Sequence, residues 1–257
     1  MSIISSPQNE RVKLVRLLLR QSKTRRQTQR LVLEGVRLVR DAVLAGVKPD
    51  FVCYTPGDTP AADLIPQLSE AGITCLAVAG ELMRDMTDTE TPQGVVGVFP
   101  WPDLPVPAQP DLIVVADGWR DPGNLGTLLR TAAAAGVSGV VLTPGTVDPT
   151  NPKTLRAGMG AHFRVPVLSL SWSEIHERFA RMPLYLADAA GEIAYDAVNW
   201  RQPSIVVIGG EAHGPQDAAR DLPHTLVRIP MVSGAESLNA AVAASLLIYE
   251  ARRHTWG

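Results

Sequence analysis

The chain opens with a helical pattern of apolar positions and then changes to short apolar runs. The helical pattern places four apolar residues on one stripe, with basic residues around them: Val12, Val15, Leu18 and Leu19. Residues 31–46 predict a short strand and then a helix that ends at Gly46, since glycine commonly terminates helices. Further strands are predicted for three apolar runs, the first two separated by the helix LIPQLSEAG: DFVCYT, ITCLAV and GVVGVF. Together these segments predict a small α/β unit of about 70 residues.

A proline-rich segment follows this unit. Residues 100–110, PWPDLPVPAQP, contain five prolines, a composition that is stiff and extended and typical of linkers. We therefore divide the chain into an N-terminal domain at 1–99, a linker at 100–110 and a second domain at 111–257.

The second half alternates between apolar strands and helices. The predicted strands are DLIVVAD, SGVVLT, RVPVL, PLYLAD, SIVVIGG and HTLVRIP. The predicted helices are NLGTLLRTAAAAG, PKTLRAGMG, WSEIHERFA and a last helix from about Glu236 to Arg253. This alternation predicts an α/β fold whose mostly parallel sheet is covered by helices on both faces. The last helix carries one apolar stripe: Leu238, Val242, Leu246 and Tyr249.

Composition and cysteine use narrow the class of protein. Hydrophobic residues make up 46% and charged residues 19%, which is ordinary for a globular protein. No apolar run reaches the roughly 18 residues that cross a bilayer, and the N-terminus lacks the features of a secretory signal. Cys53 and Cys75 lie in apolar contexts without metal-ligand spacing, which is typical of buried thiols in a reducing compartment. We therefore expect a cytoplasmic protein without a membrane partner.

The net charge of −2 conceals a basic N-terminus. Residues 1–40 hold ten Lys and Arg against two Glu, so this arm carries about +8 and the remainder about −10. A basic arm on a mildly acidic body favours a polyanionic partner such as nucleic acid, although a solvated helix face explains the charge equally well.

Three glycine-bearing turns follow strands in the second half: DGWRDPGNLG, GGEAHGP and PMVSGAESLN. Ligands of open α/β sheets bind beyond the carboxyl ends of the strands, so these turns could converge on one site. The sequence contains no GK[ST], which excludes a P-loop, and the spacing PGNLG does not fit a dinucleotide fingerprint. The missing fingerprint argues against a nucleotide-dependent oxidoreductase. No pattern of His and Cys indicates a metal site.

Each polar residue of these turns, taken alone, also fits a structural role. Asn124 fits the N-cap of the following helix, with Gly136 after its end, and Arg130 fits a surface arginine. Glu211 fits a turn carboxylate, and Ser237 and Asn239 fit residues at a helix start.

Taken together, three segments resemble the motifs of the SpoU/TrmH branch of SPOUT RNA methyltransferases, over about residues 111–253. They are DPGNLGTLLRTAAAAG, IVVIGGEAHGP and RIPMVSGAESLNAAVAASLLIYEARR, in that order. The third motif, with IPM followed by ESLN and an alanine-rich helix, is the most specific. The first half resembles the small substrate-binding domain of two-domain rRNA-modifying members.

The resemblance implies an enzyme that transfers a methyl group from S-adenosylmethionine to a ribose 2′-hydroxyl of RNA. It also implies a deep trefoil knot in the parallel-sheet domain, against the general rule that chains are unknotted, and a homodimer through the catalytic domain. The catalytic group carried over is Asn124, Arg130, Glu211, Ser237 and Asn239. The cofactor-binding group is Thr143, Pro144, Gly209, Gly210, Ile229, Met231 and Leu238.

The resemblance implies that the basic arm binds RNA phosphates. Its candidate RNA-binding residues are Arg11, Lys13, Arg25, Arg26 and Arg30. The additional N-terminal domain favours rRNA as the substrate. The alternatives are a tRNA ribose methyltransferase and a non-catalytic RNA-binding protein on the same fold. We expect no metal.

Overall fold

A computed structural model of the chain describes residues 3–57, 61–87, 93–210, 214–232 and 237–256. The chain forms two compact units. The first unit consists of Met1–Pro102 and Thr150–Phe163, and the second consists of Asp103–Pro149 and Arg164–Gly257.

Helices and strands alternate along most of the chain. The described helices are α1 (Glu10–Arg20), α2 (Ser22–Thr28), α3 (Val36–Leu44), α4 (Leu64–Glu70), α5 (Gly80–Met86), α6 (Pro122–Ala134), α7 (Pro152–Gly158), α8 (Trp172–Phe179), α9 (Asp217–Arg220) and α10 (Ala240–Arg252). The described strands are β1 (Arg30–Glu34), β2 (Phe51–Tyr54), β3 (Cys75–Ala77), β4 (Val95–Pro100), β5 (Leu112–Asp117), β6 (Gly139–Leu142), β7 (Val167–Ser169), β8 (Leu184–Ala187), β9 (Ile193–Ala194), β10 (Ser204–Gly209) and β11 (Thr225–Arg228).

The first unit is built on a four-stranded sheet in the order β1-β4-β2-β3. Strand β4 runs antiparallel to both neighbours, and β2 pairs with β3 in parallel. The stripe predicted for the first helix is confirmed, because the buried residues of α1 are Val12, Val15, Leu18 and Leu19. The predicted stop of α3 is also confirmed: Gly46 has a φ of +84°, a conformation that glycine adopts without strain.

The segment Thr150–Phe163 differs from the expected division of the chain, because it packs in the first unit although it lies within residues 111–257. Leu155 and Phe163 are buried in the same hydrophobic cluster as Leu31 and Phe99. The ring centroids of Phe99 and Phe163 are 6.1 Å apart. The physical reason is therefore apolar burial, which proline-based boundary signals do not report.

The second unit is built on a seven-stranded sheet in the order β7-β6-β5-β10-β8-β11-β9. Every strand pair in it is parallel, and the buried strand patterns match a sheet covered on both faces. The predicted α/β class with a parallel sheet is thus confirmed. The knot stays a prediction.

The two thiols lie on neighbouring strands of the first unit without being bonded to each other. Cys75 is paired in register with Val52 rather than with Cys53, so the two side chains point to opposite faces of the sheet. Burial raises the pKa of Cys53 to about 12, so this thiol stays protonated and unreactive. The cytoplasmic location stays a prediction. Within the described ranges, no helix has the length and apolarity needed to cross a membrane.

Candidate active site

The carboxyl ends of the parallel strands lie at one edge of the second unit. β5 ends at Asp117, β8 is followed by Asp188, and β10 runs into Gly210. Because all these strands run in the same direction, their carboxyl ends share that edge, which is where ligands of open α/β sheets bind.

A hydrogen-bond network around Asp117 joins the end of β5 to the segments after β6 and β10. Asp117, 1% exposed, accepts a hydrogen bond from the Thr143 hydroxyl at 2.6 Å and one from the Gln216 backbone N–H at 2.7 Å. The Gln216 side chain in turn donates to the Pro144 carbonyl at 3.3 Å. Both oxygens of a buried carboxylate are thereby used, which holds the turns after β6 and β10 together.

A cavity of about 590 Å³ opens at this edge of the sheet. Its walls come from the ends of β8, β10 and β11 and from the segment that enters α10. Seven of the sequence-predicted site residues belong to its lining: Gly209, Gly210, Ile229, Met231, Ser237, Leu238 and Asn239. Thr143 and Pro144 do not line it. They support the adjacent turn through Asp117 and Gln216 instead.

The glycines of this lining are required by close backbone approach. A Cβ added to Gly209 would lie 2.0 Å from the carbonyl carbon of Gly214, well inside contact distance. A Cβ added to Gly210 would lie 3.0 Å from the Gly118 carbonyl oxygen. The absence of side chains here leaves backbone groups at the cavity wall, where they can hydrogen-bond the edges of a planar base.

Two asparagines from distant parts of the chain meet at the start of α10. The Asn239 side-chain amide donates to the Asn124 side-chain oxygen at 3.1 Å. Asn239 also caps α10, because its Oδ1 accepts from the backbone N–H groups of Ala241 and Val242. The structural role considered for Asn124 was wrong: Asp121 is the N-cap of α6 and accepts from the Asn124 N–H at 2.7 Å. The Asn124 side chain is thus released from capping and is directed to Asn239.

The remaining members of the predicted catalytic group are not all brought together. Ser237 lines the cavity beside Asn239. Arg130 is exposed on α6 and is absent from the described lining of the cavity in its own chain. Glu211 lies outside the described residues.

Sequence reasoning missed an ion pair in the cavity wall. Asp188, after β8, and Arg220, at the end of α9, both line the cavity and are 2.6 Å apart. Hydrogen bonds from Arg220 and then from the Ala190 N–H hold the pKa of Asp188 below its usual value, so the carboxylate is ionised. The sequence did contain a signal for Asp188: it is an acidic residue directly after the strand PLYLA, at the sheet edge where ligands bind.

The candidate RNA-binding residues have different environments in the first unit. Arg26 is exposed, and Arg11 is exposed with its guanidinium 4.8 Å from the ring centre of Phe51. Lys13 and Arg30 are partly buried and form ion pairs, with Glu10 and Asp50 respectively.

Arg25 is corrected to a structural residue. It is only 3% exposed and donates to the Leu18 carbonyl at 2.7 Å and to the Thr150 hydroxyl at 3.2 Å. Its guanidinium therefore ties α1 and the segment at Thr150 together and is shielded from an RNA phosphate.

The cavity suits S-adenosylmethionine better than it suits a metal. Apolar side chains such as Ile229 and Met231 can pack the faces of an adenine, while the wall at Gly209 and Gly210 offers backbone hydrogen-bonding groups. Its volume lies in the usual range for small-molecule sites. Within the described part of the chain, no group of three or more His, Cys, Asp or Glu has a metal-binding arrangement.

Two family models together match most of the chain. The family described as SpoU rRNA Methylase matches residues 111–249, and the MRM3-like substrate binding domain matches residues 9–97. The 23S rRNA (guanosine(2553)-2′-O)-methyltransferase RlmP of Bacillus subtilis is 33% identical over 98% of this chain and 100% of its own length. Mouse mitochondrial rRNA methyltransferase 3 is 32% identical over 96% of this chain and 73% of its own length.

A solved structure extends the likeness to the whole chain. The crystal structure of an AdoMet-bound rRNA methyltransferase from Sinorhizobium meliloti has a TM-score of 0.87 and 32% identity, covering 100% of this chain and 99% of that one. The likeness therefore extends over both units. The chain belongs to the SpoU rRNA methylase family.

Proposed function

We propose that the protein transfers a methyl group from S-adenosylmethionine to a ribose 2′-hydroxyl of rRNA. The observation that carries this proposal is the cavity whose glycine-lined wall meets the hydrogen-bonded pair Asn124 and Asn239. The similar protein from Bacillus subtilis is named a 23S rRNA 2′-O-methyltransferase, and the similar structure from Sinorhizobium meliloti is AdoMet-bound.

The residues of the chain divide the work of the reaction. S-adenosylmethionine, when bound, supplies an electrophilic methyl group. The asparagine pair orients the target nucleotide by hydrogen bonds, and Ser237 lies beside it in the same wall. Arg130 stabilises negative charge on the ribose oxygen and grips the neighbouring phosphate, since its guanidinium stays protonated and offers two parallel donors.

The first unit supplies affinity for RNA. Its exposed cations, including Arg26 and Arg11, contact phosphates, which gives binding that weakens as salt concentration rises. The match of residues 9–97 to a substrate binding domain supports this role.

The experiment that tests the function uses methyl-labelled S-adenosylmethionine with unmodified rRNA and unmodified tRNA. We expect label in a 2′-O-methyl nucleoside of rRNA and background incorporation in tRNA. Label in tRNA alone would support ribose 2′-O-methylation but overturn rRNA as the substrate. Incorporation into neither RNA, in a protein that also fails to bind S-adenosylhomocysteine, would favour a non-catalytic RNA-binding protein.

We further propose that the protein acts as a homodimer through α6 and α10. Val242, Leu246 and Tyr249 form an apolar face of α10 that is 38–49% exposed. The hydroxyls of Thr131 on α6 and Ser245 on α10 are 3.2 Å apart, so the two helices adjoin beside this face. A second copy that covers the face would remove this apolar area from water. It would also bring the exposed Arg130 of one copy toward the cavity of the other.

Replacing Leu246 with glutamate tests the dimer. A charge placed in the covered face is expected to raise the dimer dissociation constant by about 100-fold and to lower methyl transfer at micromolar protein, because an unpaired charge is costly to bury. The measurement is molar mass by sedimentation together with the initial rate. Leu44→Glu is the matched control, since Leu44 is 78% exposed on α3 of the first unit. A Leu246→Glu protein that remains dimeric would contradict the proposed interface.

A further inference from the structure

The Asp188–Arg220 pair is held in a fixed position in the cavity wall. One carboxylate oxygen of Asp188 accepts from Arg220 at 2.6 Å, and the other accepts from the Ala190 N–H at 2.9 Å. The side chains are 19% and 39% exposed, respectively, so the pair is accessible from the cavity that it lines. A carboxylate tethered at both oxygens has a defined direction for further hydrogen bonds.

The chemistry of the pair favours a neutral hydroxyl as its ligand. An ionised carboxylate accepts up to about four hydrogen bonds, and each oxygen of Asp188 accepts one, from Arg220 and from the Ala190 N–H, so capacity remains on both. Arg220 already balances its charge, and an ammonium group would have to compete with that guanidinium. A hydroxyl adds a hydrogen bond without disturbing the charge balance.

The position of the pair points to the nucleoside part of the cofactor. β10 lies between β5, which leads to Asn124, and β8, which leads to Asp188. Adjacent strands are about 4.8 Å apart, so the ends of β5 and β8 are separated by about 10 Å. The sulfonium that carries the reacting methyl group belongs near the asparagine pair, and it joins the ribose on one side to the charged amino-acid chain on the other. The ribose is the one of these two groups that offers neutral hydroxyls, so it is the one that suits Asp188. Acidic residues near the carboxyl edge of a parallel sheet bind ribose hydroxyls in other α/β folds.

We propose that Asp188 accepts a hydrogen bond from a ribose hydroxyl of S-adenosylmethionine and that Arg220 is the positioning residue that holds Asp188 for this contact. The proposal rests on the proposed function, because it requires the cofactor in this cavity. It assigns specificity for the sugar to two residues that the sequence motifs do not contain.

The test measures binding by calorimetry rather than activity. The probes are S-adenosylhomocysteine, 5′-methylthioadenosine and the 2′-deoxy and 3′-deoxy forms of 5′-methylthioadenosine. Asp188→Asn is expected to raise the dissociation constants of the first two probes by about tenfold each, the loss of one hydrogen bond to a charged group. One of the two deoxy probes should bind the wild-type protein and Asp188→Asn equally, because the hydroxyl concerned is already missing.

Two further variants separate the contact from a structural role. Arg220→Met should weaken binding of 5′-methylthioadenosine, and Arg220→Lys should restore most of it by retaining a cation beside Asp188. Glu10→Gln, which alters an ion-paired acid of the first unit, should leave all dissociation constants unchanged. Thermal unfolding of each variant checks that the fold is retained.

The outcomes distinguish failure of this proposal from failure of the proposed function. If Asp188→Asn weakens S-adenosylhomocysteine but not 5′-methylthioadenosine, the carboxylate contacts the amino-acid end and the ribose assignment is overturned. Equal loss for all four probes, or no loss for any, also overturns it. If the wild-type protein binds none of the probes, the proposed function itself is overturned.

Discussion

Arg130→Lys is expected to lower the single-turnover rate of rRNA methylation by about 100- to 1000-fold, the range for removing one preorganised donor to a developing oxyanion. Lysine keeps the charge but lacks the planar fork that grips a phosphate and an adjacent oxygen together. The affinity for S-adenosylhomocysteine should not change, because Arg130 is absent from the described lining of the cavity in its own chain and its proposed contacts are with the ribose oxygen and phosphate of the RNA.

Two measurements, single-turnover rate and cofactor affinity, check this prediction in the same preparation. Arg178→Lys is the matched control, because Arg178 is an exposed arginine on α8 whose guanidinium lies over the ring of Phe179 and outside the cavity lining. We expect the control to keep the wild-type rate. If Arg130→Lys stays within about threefold of wild type, the proposed two-donor grip is wrong and a single positive charge suffices.

The parts of the fold that follow local rules could be predicted from the sequence. The stripe on α1 and the stop of α3 at Gly46 depend on residues within a few positions of each other. The alternation of apolar strands and helices likewise determined the parallel sheet of the second unit, since strands buried on both faces must be apolar throughout. Short helices with little apolar pattern, such as α2 with the sequence SKTRRQT, escaped prediction.

The misassigned residues depended on partners far along the chain. From the sequence, Arg25 is predicted to be a surface cation. In the structure, its guanidinium donates a hydrogen bond to Thr150, which is 125 residues away. The segment Thr150–Phe163 reads as part of the second domain, yet its apolar side chains are buried in the first unit. Local composition contains no information about which core such a segment joins.

Site residues that belong to a sequence motif could be predicted from the sequence. Site residues that only the fold brings together could not. The resemblance led to Gly209, Gly210 and Asn239, and the structure places them around one cavity. Asp188 and Arg220 are 32 residues apart and belong to none of the three motifs. Their proximity results from the order of β8 and β11 in the sheet, which the sequence pattern did not specify.

The second large effect is a loss of stability on replacing Arg252, which attaches the end of α10 to the segments before β5 and after α6. Arg252 is 5% exposed, pairs through two nitrogens with Asp111, the residue before β5, and donates to the Gly136 carbonyl after α6. Arg252→Met would leave that carboxylate and carbonyl without this donor. Breaking a buried pair costs about 3–5 kcal/mol, but the Asp111 side chain is 56% exposed and can be rehydrated. We therefore expect a loss of about 2–3 kcal/mol in the free energy of unfolding.

The pH dependence of this loss distinguishes the ion pair from simple packing. Partial burial by itself raises the pKa of Asp111, but hydrogen bonds from Arg252 and Ser138 outweigh it and lower the pKa from 3.8 to about 2. A carboxyl group with a depressed folded pKa stabilises the protein above its unfolded pKa, and this stabilisation disappears as the pH falls toward 2. Allowing for solvent screening of the exposed carboxylate, it is about 1 kcal/mol. The difference between wild type and Arg252→Met should therefore narrow between pH 7 and pH 3.

Urea unfolding followed by tryptophan fluorescence measures both effects, because four of the five tryptophans lie in the second unit. Arg253→Met is the matched control: Arg253 is the next residue, is 59% exposed and pairs only three residues away with Glu250. Such a surface pair contributes less than about 0.5 kcal/mol, so the control should unfold like the wild type at both pH values. Equal destabilisation by the two variants would show that the end of α10 depends on helix charge rather than on its bond to Asp111. A loss for Arg252→Met that is the same at pH 7 and pH 3 would assign the effect to packing of the arginine side chain.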